Sequence, residues 1–244
     1  MIRSIYTINR NMNILQKKQE NTSANIANVN TPGYKFQDII QSTLESKEMI
    51  NHTGGTNKNR KTELGSFVYG NQIDEVYKNF EQGSLSQTFK TTDYAIVGNG
   101  LFTIEGKNGE AAFTRNGNFR INDLNQLVTL EGYPVMGVDE TGQPTNINFE
   151  NYNDSGGNIN FLITDFNDYS SLISMGDTIF NSNQQGFNII PGEVKQGFLE
   201  MSNVRVVDEL IRMIEISKEF QSNQKLLHTA DETLNKAVNE IGKV

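Results

Sequence analysis

Apolar residues near the end of the chain recur at alternating steps of three and four positions. Steps of this kind place the apolar residues on one edge of a helix, at the a and d positions of a heptad repeat. We call this edge the C-terminal seam, and its residues are Met213, Ile216, Phe220, Asn223, Leu227, Ala230, Leu234, Ala237 and Ile241. A helix over 206–241 would be about 54 Å long at ~1.5 Å per residue. Ser202 or Asn203 is expected to cap its start.

A second amphipathic helix is predicted at the beginning of the chain. Its apolar edge, the N-terminal seam, advances by the same steps through Ile5, Ile8, Met12, Leu15, Gln19, Thr22, Ile26 and Val29. Pro32 disfavours helical backbone at the preceding residue, and Pro32-Gly33 favours a turn, so the helix should end there. Two seams of this kind suggest that the helices pair lengthwise. The open alternative is that 206–241 is a core helix of an ordinary domain.

The residues between the two helices have a different periodicity. Apolar residues in 34–44 fit an extended run or a short helix, and the polar, glycine-containing stretch 52–63 predicts a loop or arm. Over 64–201 apolar and polar residues alternate between frequent turn signals, which predicts short antiparallel strands. Segments 102–105 and 111–114, for example, should form a hairpin around Lys107-Asn108-Gly109.

These patterns predict an α+β fold in which discontinuous N- and C-terminal helices form a coiled-coil stem. An antiparallel all-β domain is inserted between them. The expected organisation is a helical domain made of 1–33 with 202–244, a connector or extended arm over 34–63, and a β-rich outer domain over 64–201.

Composition narrows the possible functions. The net charge of −8 argues against a nucleic-acid partner, because phosphate binding requires a concentrated basic patch. The chain has no cysteine, so disulfides and thiolate metal sites are excluded. Neither His52 nor His228 has neighbours that would make it a ligand or a base. We therefore predict no enzyme activity, no catalytic, metal or cofactor-binding residue, no cofactor and no small-molecule substrate. The first residues also lack the apolar run of a cleavable signal peptide.

One segment carries a recognisable motif. Residues 25–35 read Asn-Ile-Ala-Asn-Val-Asn-Thr-Pro-Gly-Tyr-Lys, and this run resembles the signature of bacterial flagellar axial proteins, the rod and hook class. Further blocks at 82–88, 93–102, 113–119 and 197–207 resemble that family in the same order. The residues that carry the motif are Asn25, Asn28, Asn30, Thr31, Pro32, Gly33, Tyr34 and Lys35.

The resemblance implies a structural subunit of the flagellar basal body, exported from the cytoplasm through the flagellar type III apparatus without signal cleavage. It implies that the subunits form a helical homopolymer with other rod and hook subunits as neighbours. Terminal helices would pair in an inner tube, with the β-rich middle outside. On this basis the residues expected to pack between subunits are Ile5, Ile8, Met12, Leu15, Met213, Ile216, Phe220, Leu227, Leu234 and Ile241.

Within the family, the length of the chain is similar to that of rod subunits that transmit torque to the hook. A distal position is favoured because 46–63 lies where distal rod proteins carry an extra stretch, and Pro32 keeps a proximal position open. A hook-type subunit is one alternative. The other is a secreted β-domain binding module with a coiled-coil stem.

Overall fold

A computed structural model gives the fold of the chain. It describes residues 2–53, 60–106, 109–139, 141–149, 159–176, 178–182 and 187–241. One helix precedes and one helix follows a set of antiparallel strands, which confirms the predicted α+β class and both terminal helices. The side chains of His52 and Ile241, and the turn residues Lys107 and Asn108, lie outside the described residues.

Helix α1 spans Ile2–Ala27, and helix α2 spans Val206–Lys236 and continues as a π-helical turn over Ala237–Ile241. The acidic side chains in the first turn of α2 are favoured there by the helix dipole. The prediction that Ser202 or Asn203 caps this helix is wrong. The helix begins only at Val206, and the Asn203 side chain bonds the backbone of two other segments instead.

The strands are short. Their bounds are β1 Gln37–Thr43, β2 Lys47–Thr53, β3 Arg60–Phe67, β4 Asn71–Lys78, β5 Leu85–Gln87, β6 Tyr94–Val97, β7 Leu101–Glu105, β8 Ala111–Thr114, β9 Arg120–Ile121, β10 Leu127–Val128, β11 Met136–Val138, β12 Pro144–Asn146, β13 Ile163–Phe166, β14 Leu172–Ser174, β15 Ile179–Ser182, β16 Phe187–Ile189, β17 Glu193–Gln196 and β18 Phe198–Glu200. A 3₁₀ turn over Tyr169–Ser171 precedes β14.

The largest sheet has six strands in the order β14-β15-β8-β7-β13-β16, and its described pairs are antiparallel. Strands β7 and β8 form the predicted hairpin, with Phe102 opposite Thr114 and Glu105 opposite Ala111. Smaller two-stranded pairs include β17 with β6 and β18 with β5.

Alternation along the strands divides the core into two clusters on opposite faces of the sheet. Phe102 and Ile104 join one cluster together with Phe119 and Phe161 from outside the sheet. The neighbouring residue Leu101 belongs to the other cluster, whose buried members are Leu101, Phe113, Phe166, Leu172 and Phe180. Each cluster contains edge-to-face aromatic pairs, such as Phe102 with Phe119 at 5.2 Å between ring centres.

The chain divides into two compact units. The first comprises 1–24, 37–77 and 207–244, and the second comprises 25–36 and 78–206. The first unit contains most of both helices, the antiparallel pair β1–β4 and the antiparallel hairpin β2–β3. The second unit contains the six-stranded sheet and its two core clusters.

The structure differs from the expectation of a loop within 52–63. Residues 60–63 lie in β3, which pairs with β2 around a bulge between Met49 and Ile50. Residues 61–66 are exposed. A strand that buries neither face needs no alternation of apolar and polar residues, so its sequence resembles that of a loop.

Candidate functional site

The motif at 25–35 forms a compact turn at the end of α1. The Asn25 side chain is completely buried and accepts a hydrogen bond of 3.1 Å from the hydroxyl group of Tyr34. Thr31 donates from its hydroxyl group to the side chain of Asn28 at 3.0 Å, and its backbone N–H donates to the Asn28 carbonyl. These bonds use the polar side chains that make the sequence of the motif distinctive.

Gly33 is the residue at which the chain leaves this turn. Its φ of +72° lies in the left-handed region, which favours glycine. A Cβ atom at this position would lie 2.4 Å from the backbone nitrogen of Asn116, so the site also lacks room for any side chain. The Gly33 N–H donates to the carbonyl of Glu200 at 2.8 Å. Glycine thus lets the motif lie directly against the β domain.

A buried cluster of three charged side chains follows the motif. Lys35 lies 2.8 Å from Glu200, and the other carboxylate oxygen of Glu200 lies 2.5 Å from Nε of Arg115. All three residues are at most 3% exposed. The same carboxylate accepts the N–H of Gly83 at 2.9 Å. One buried anion therefore joins parts of the chain that are far apart in sequence.

Both cations of the cluster are also bound by backbone carbonyls. Lys35 donates to the carbonyls of Glu81 at 2.8 Å and Phe80 at 3.3 Å. Arg115 donates to the carbonyls of Gly100 and Gly98. Burial lowers the pKa of Lys35, and the charge of Glu200 opposes that shift. All three charged groups of the cluster thus have hydrogen-bond partners, and a fully bonded buried network of this kind rigidifies the core.

Asn203 makes a second connection near the same place. Its side-chain oxygen accepts the N–H of Phe36 at 2.7 Å, and its amide group donates to the carbonyls of Asn79 at 2.8 Å and Glu81 at 3.1 Å. The backbones of Phe36 and Asn79 are themselves joined by a 2.9 Å hydrogen bond. The segment before α2 is therefore tied to the segment after α1.

Sequence reasoning identified Lys35 but missed Arg115, Glu200 and Asn203. A signal exists for two of them, because Arg115 follows the apolar strand β8 and Glu200 ends the apolar strand β18. A charged residue beside a buried strand needs a partner of opposite charge if it is itself buried. Arg115 and Glu200 are far apart in the sequence, so the sequence alone does not identify them as partners.

The two terminal helices are antiparallel neighbours in the first unit. Asn11 of α1 lies 3.5 Å from Glu219 of α2. Asn21 of α1 donates to the carbonyl of Gln37, and Arg212 of α2 forms an ion pair with the adjacent residue Asp38. Advancing along α1 thus corresponds to moving back along α2.

The seam residues differ in burial. Among the apolar residues of the two seams, Leu15 and Ile216 are buried, whereas Ile5, Ile8, Met12, Met213, Phe220, Leu227 and Leu234 are half-buried. Of the polar seam residues, Thr22 and Asn223 are buried and Gln19 is exposed. Ile14, which is outside the predicted seam, is buried as well. Whether these residues pack between subunits remains a prediction.

Among the described residues, no group of three or more acidic or histidine side chains is placed to hold a metal ion. His228 lies 3.6 Å from Glu232 on an exposed part of α2.

Within the described part of the chain, neither helix has the length and apolar character needed to cross a membrane. The polar features of the site are hydrogen bonds and ion pairs between its own segments.

Three family models match the chain. The model for "Flagella basal body rod protein" matches 5–35, that for "Flagellar hook protein FlgE/F/G D1 domain" matches 95–165, and that for "Flagellar basal body rod FlgEFG protein C-terminal" matches 195–240. These segments contain the motif, the centre of the β domain and most of α2.

Relatives of similar length agree with these matches. The flagellar basal-body rod protein FlgG of Bacillus subtilis is 32% identical over 98% of this chain and 99% of its own length. The chain belongs to the flagellar basal-body rod protein family. FlgG of Buchnera aphidicola subsp. Schizaphis graminum is 30% identical over 97% of this chain and 98% of its own length. The flagellar hook-basal body complex protein FlhO of B. subtilis is 31% identical over 100% of both chains.

The rod family is a structural one, which confirms the predicted class of function. This rod protein is a structural subunit of the flagellar basal body, where it assembles with other rod and hook subunits.

Proposed function

We propose that this rod protein polymerises with copies of itself into a helical shaft, and that α1 and α2 form its coiled-coil stem. The observation that carries this proposal is the partial burial of the C-terminal seam within one chain. Phe220, Leu227 and Leu234 lie on one edge of α2 but are only half-buried. An apolar edge that one chain covers only in part is stabilised by a neighbouring subunit.

The proposal includes the predicted domain division: a stem of 1–33 with 202–244, a connector over 34–63 and an outer domain over 64–201. A distal position in the rod is supported by the hairpin β2–β3, which occupies the region of the extra stretch in distal rod proteins. Export through the flagellar type III apparatus, without signal cleavage, brings the subunit to the growing tip. Seam contacts made at the tip would then offset the entropy lost on assembly.

The seam proposal is tested by the double substitution Phe220→Asp and Leu227→Asp in a strain that lacks the wild-type gene. Two carboxylates on the seam would be desolvated in the assembled rod, so we expect no complete rods and no hooks in electron micrographs of isolated basal bodies. The β domain should remain folded, with unchanged near-UV circular dichroism.

Leu226→Asp is the matched control. Leu226 is the same residue type on the same turn of α2, but it lies off the seam and is 54% exposed. This variant should assemble complete rods. Complete rods in the double variant would refute the role of the seam, and complete rods in the strain without the gene would refute the function as a rod subunit.

A further inference from the structure

A second apolar stripe lies on the outer side of α2. Its four residues follow the i, i+3, i+4, i+7 pattern of one helix face. The members of this outer stripe, with their exposed fractions, are Val207 (68%), Leu210 (47%), Ile211 (52%) and Ile214 (55%). Val207 lies about 180° around the helix from the buried Ile216. The stripe therefore faces away from the side on which α2 is buried.

A groove runs along α1 in the same unit. One part of it, with a volume of about 610 Å³, is lined by Tyr6, Arg10, Leu44 and Tyr69 among others. A second part of about 380 Å³ also contains Arg10 and continues to Lys17. We call the two parts together the α1 groove. From Tyr6 to Lys17 it covers roughly 16 Å of helix, while the outer stripe covers roughly 10 Å, so the stripe fits within its length.

Gly70 lies between the groove-lining residues Tyr69 and Asn71 and close to α1. Its φ of +114° is a left-handed conformation, and its Cα carries no side chain that would separate the turn from α1. A Cβ atom there would already touch Arg10 and Thr7 at 3.6 Å. The connection between β3 and β4 thus lies against the helix. Tyr69 from this connection and Tyr6 from α1 both line the groove, and Tyr6 is 67% exposed.

The two surfaces carry opposite charge. Helix α1 contains four basic residues and one acidic residue, whereas 206–241 contains seven acidic and four basic residues. The α1 groove is lined by the exposed cations Arg10, Lys17 and Lys47 and by the exposed anion Glu45, so its charged lining is positive overall. Beside the outer stripe, Glu215 is an exposed anion. Neither Arg10 nor Glu215 makes an ion pair with another described residue. Such complementarity favours one docking partner and one orientation.

We propose that the outer stripe of one subunit docks in the α1 groove of a second copy of this chain, with Glu215 of the first copy near Arg10 of the second. This inference rests on the proposed function and specifies one of the contacts between subunits. The stripe and the groove are different patches of the surface. The stripe of each subunit therefore occupies the groove of one neighbour, and its own groove receives the stripe of another. A contact of this kind is head-to-tail and continues into an open helix unless it closes into a ring.

Chemical cross-linking tests the contact directly, because the wild-type chain has no cysteine. Cells would produce two single-cysteine variants together, Tyr6→Cys and Ile214→Cys, and a short bis-maleimide would be added to isolated basal bodies. We expect a covalent dimer when both variants are present and none when either is present alone. A dimer from either variant alone, or no dimer from the mixture, would contradict head-to-tail docking.

Charge reversal provides a second test. With the cysteine pair in place, Arg10→Glu or Glu215→Arg should lower the yield of cross-linked dimer about tenfold, and the two reversals together should restore it. Restoration requires that the two side chains face each other across the contact. A double variant that is no better than either single variant would overturn the pairing.

The outer stripe can be separated from the seam with Ile214→Asp and its control Ile173→Asp. Ile173 has nearly the same exposure, 53%, but lies in β14. We expect Ile214→Asp to prevent complete rods and Ile173→Asp to permit them. If Ile214→Asp builds normal rods while the Phe220 and Leu227 double variant does not, the docking proposal is wrong and the proposed function stands. If the strain without the gene builds normal rods, the proposed function itself is wrong.

Discussion

Glu200→Gln is the substitution that most directly tests the buried junction. Gln has nearly the same shape as Glu, so the change removes the charge without creating a cavity. The Glu200 carboxylate accepts hydrogen bonds from Lys35, Gly83 and Arg115 at 2.8, 2.9 and 2.5 Å. In the variant, a side-chain NH₂ group replaces one of these oxygens and faces a cation.

The expected loss follows from the burial of the two cations. Lys35 and Arg115 would remain in a site that is at most 3% exposed, but without the anion between them. Breaking a buried ion pair by neutralising one partner costs about 3–5 kcal/mol. A domain has only about 5–15 kcal/mol of stability in total. We therefore expect the variant to be folded but much less stable.

Urea unfolding followed by near-UV circular dichroism measures this loss. The chain has no tryptophan, eight tyrosines and 14 phenylalanines, so the signal comes from tyrosine and phenylalanine side chains. Glu193→Gln is the control, because Glu193 is an exposed glutamate in β17 of the same unit; its change should remain within about 0.5 kcal/mol. A loss below about 1 kcal/mol for Glu200→Gln would refute the assignment of the cluster as a stabilising junction.

Three further substitutions test other parts of the structure. Gly33→Ala places a methyl group against the Asn116 backbone and should cost about 1–3 kcal/mol in urea unfolding. Asn203→Ala removes the side-chain hydrogen bonds to the partly buried N–H of Phe36 and carbonyl of Asn79 and should cost about 1–3 kcal/mol, measured in the same way. Burial and a hydrogen bond to Asp165 raise the pKa of Tyr169 to about 12. The neutral phenol therefore contributes stability below pH ~10 that is lost as pH rises towards 12, and Tyr169→Phe should remove that part of the alkaline unfolding curve.

Local patterns are sufficient to predict both helices and the β7–β8 hairpin, but not the exposed strand β3. The hairpin follows from the alternation of Phe102 and Ile104 with Thr103 and Glu105 and from the turn residues after them. Both helices follow from steps of three and four residues. Each of these signals lies within a short stretch of the chain, so it can be recognised from the local sequence alone.

The contacts that join the elements are not predictable in this way. Lys35 and Glu200 are 165 positions apart, and nothing near either residue identifies the other. Asn203 was expected at a helix cap because asparagine favours that position, but it bonds the backbone of Phe36 and Asn79 instead. In each case a long-range contact overrides a local preference. The burial of Ile14 likewise depends on how α1 packs.

The junction and the helices differ in whether one chain completes their contacts. Around Glu200, the two cations, the carboxylate and the neighbouring carbonyls are hydrogen-bonded within a single chain. Along the helices, seam residues such as Phe220 and Leu234 are only half-buried and the outer stripe is exposed. Substitutions at the junction should therefore change the free energy of unfolding of the monomer. Substitutions of exposed stripe residues should leave that free energy nearly unchanged and alter assembly, so the two measurements together separate the junction from the stripe.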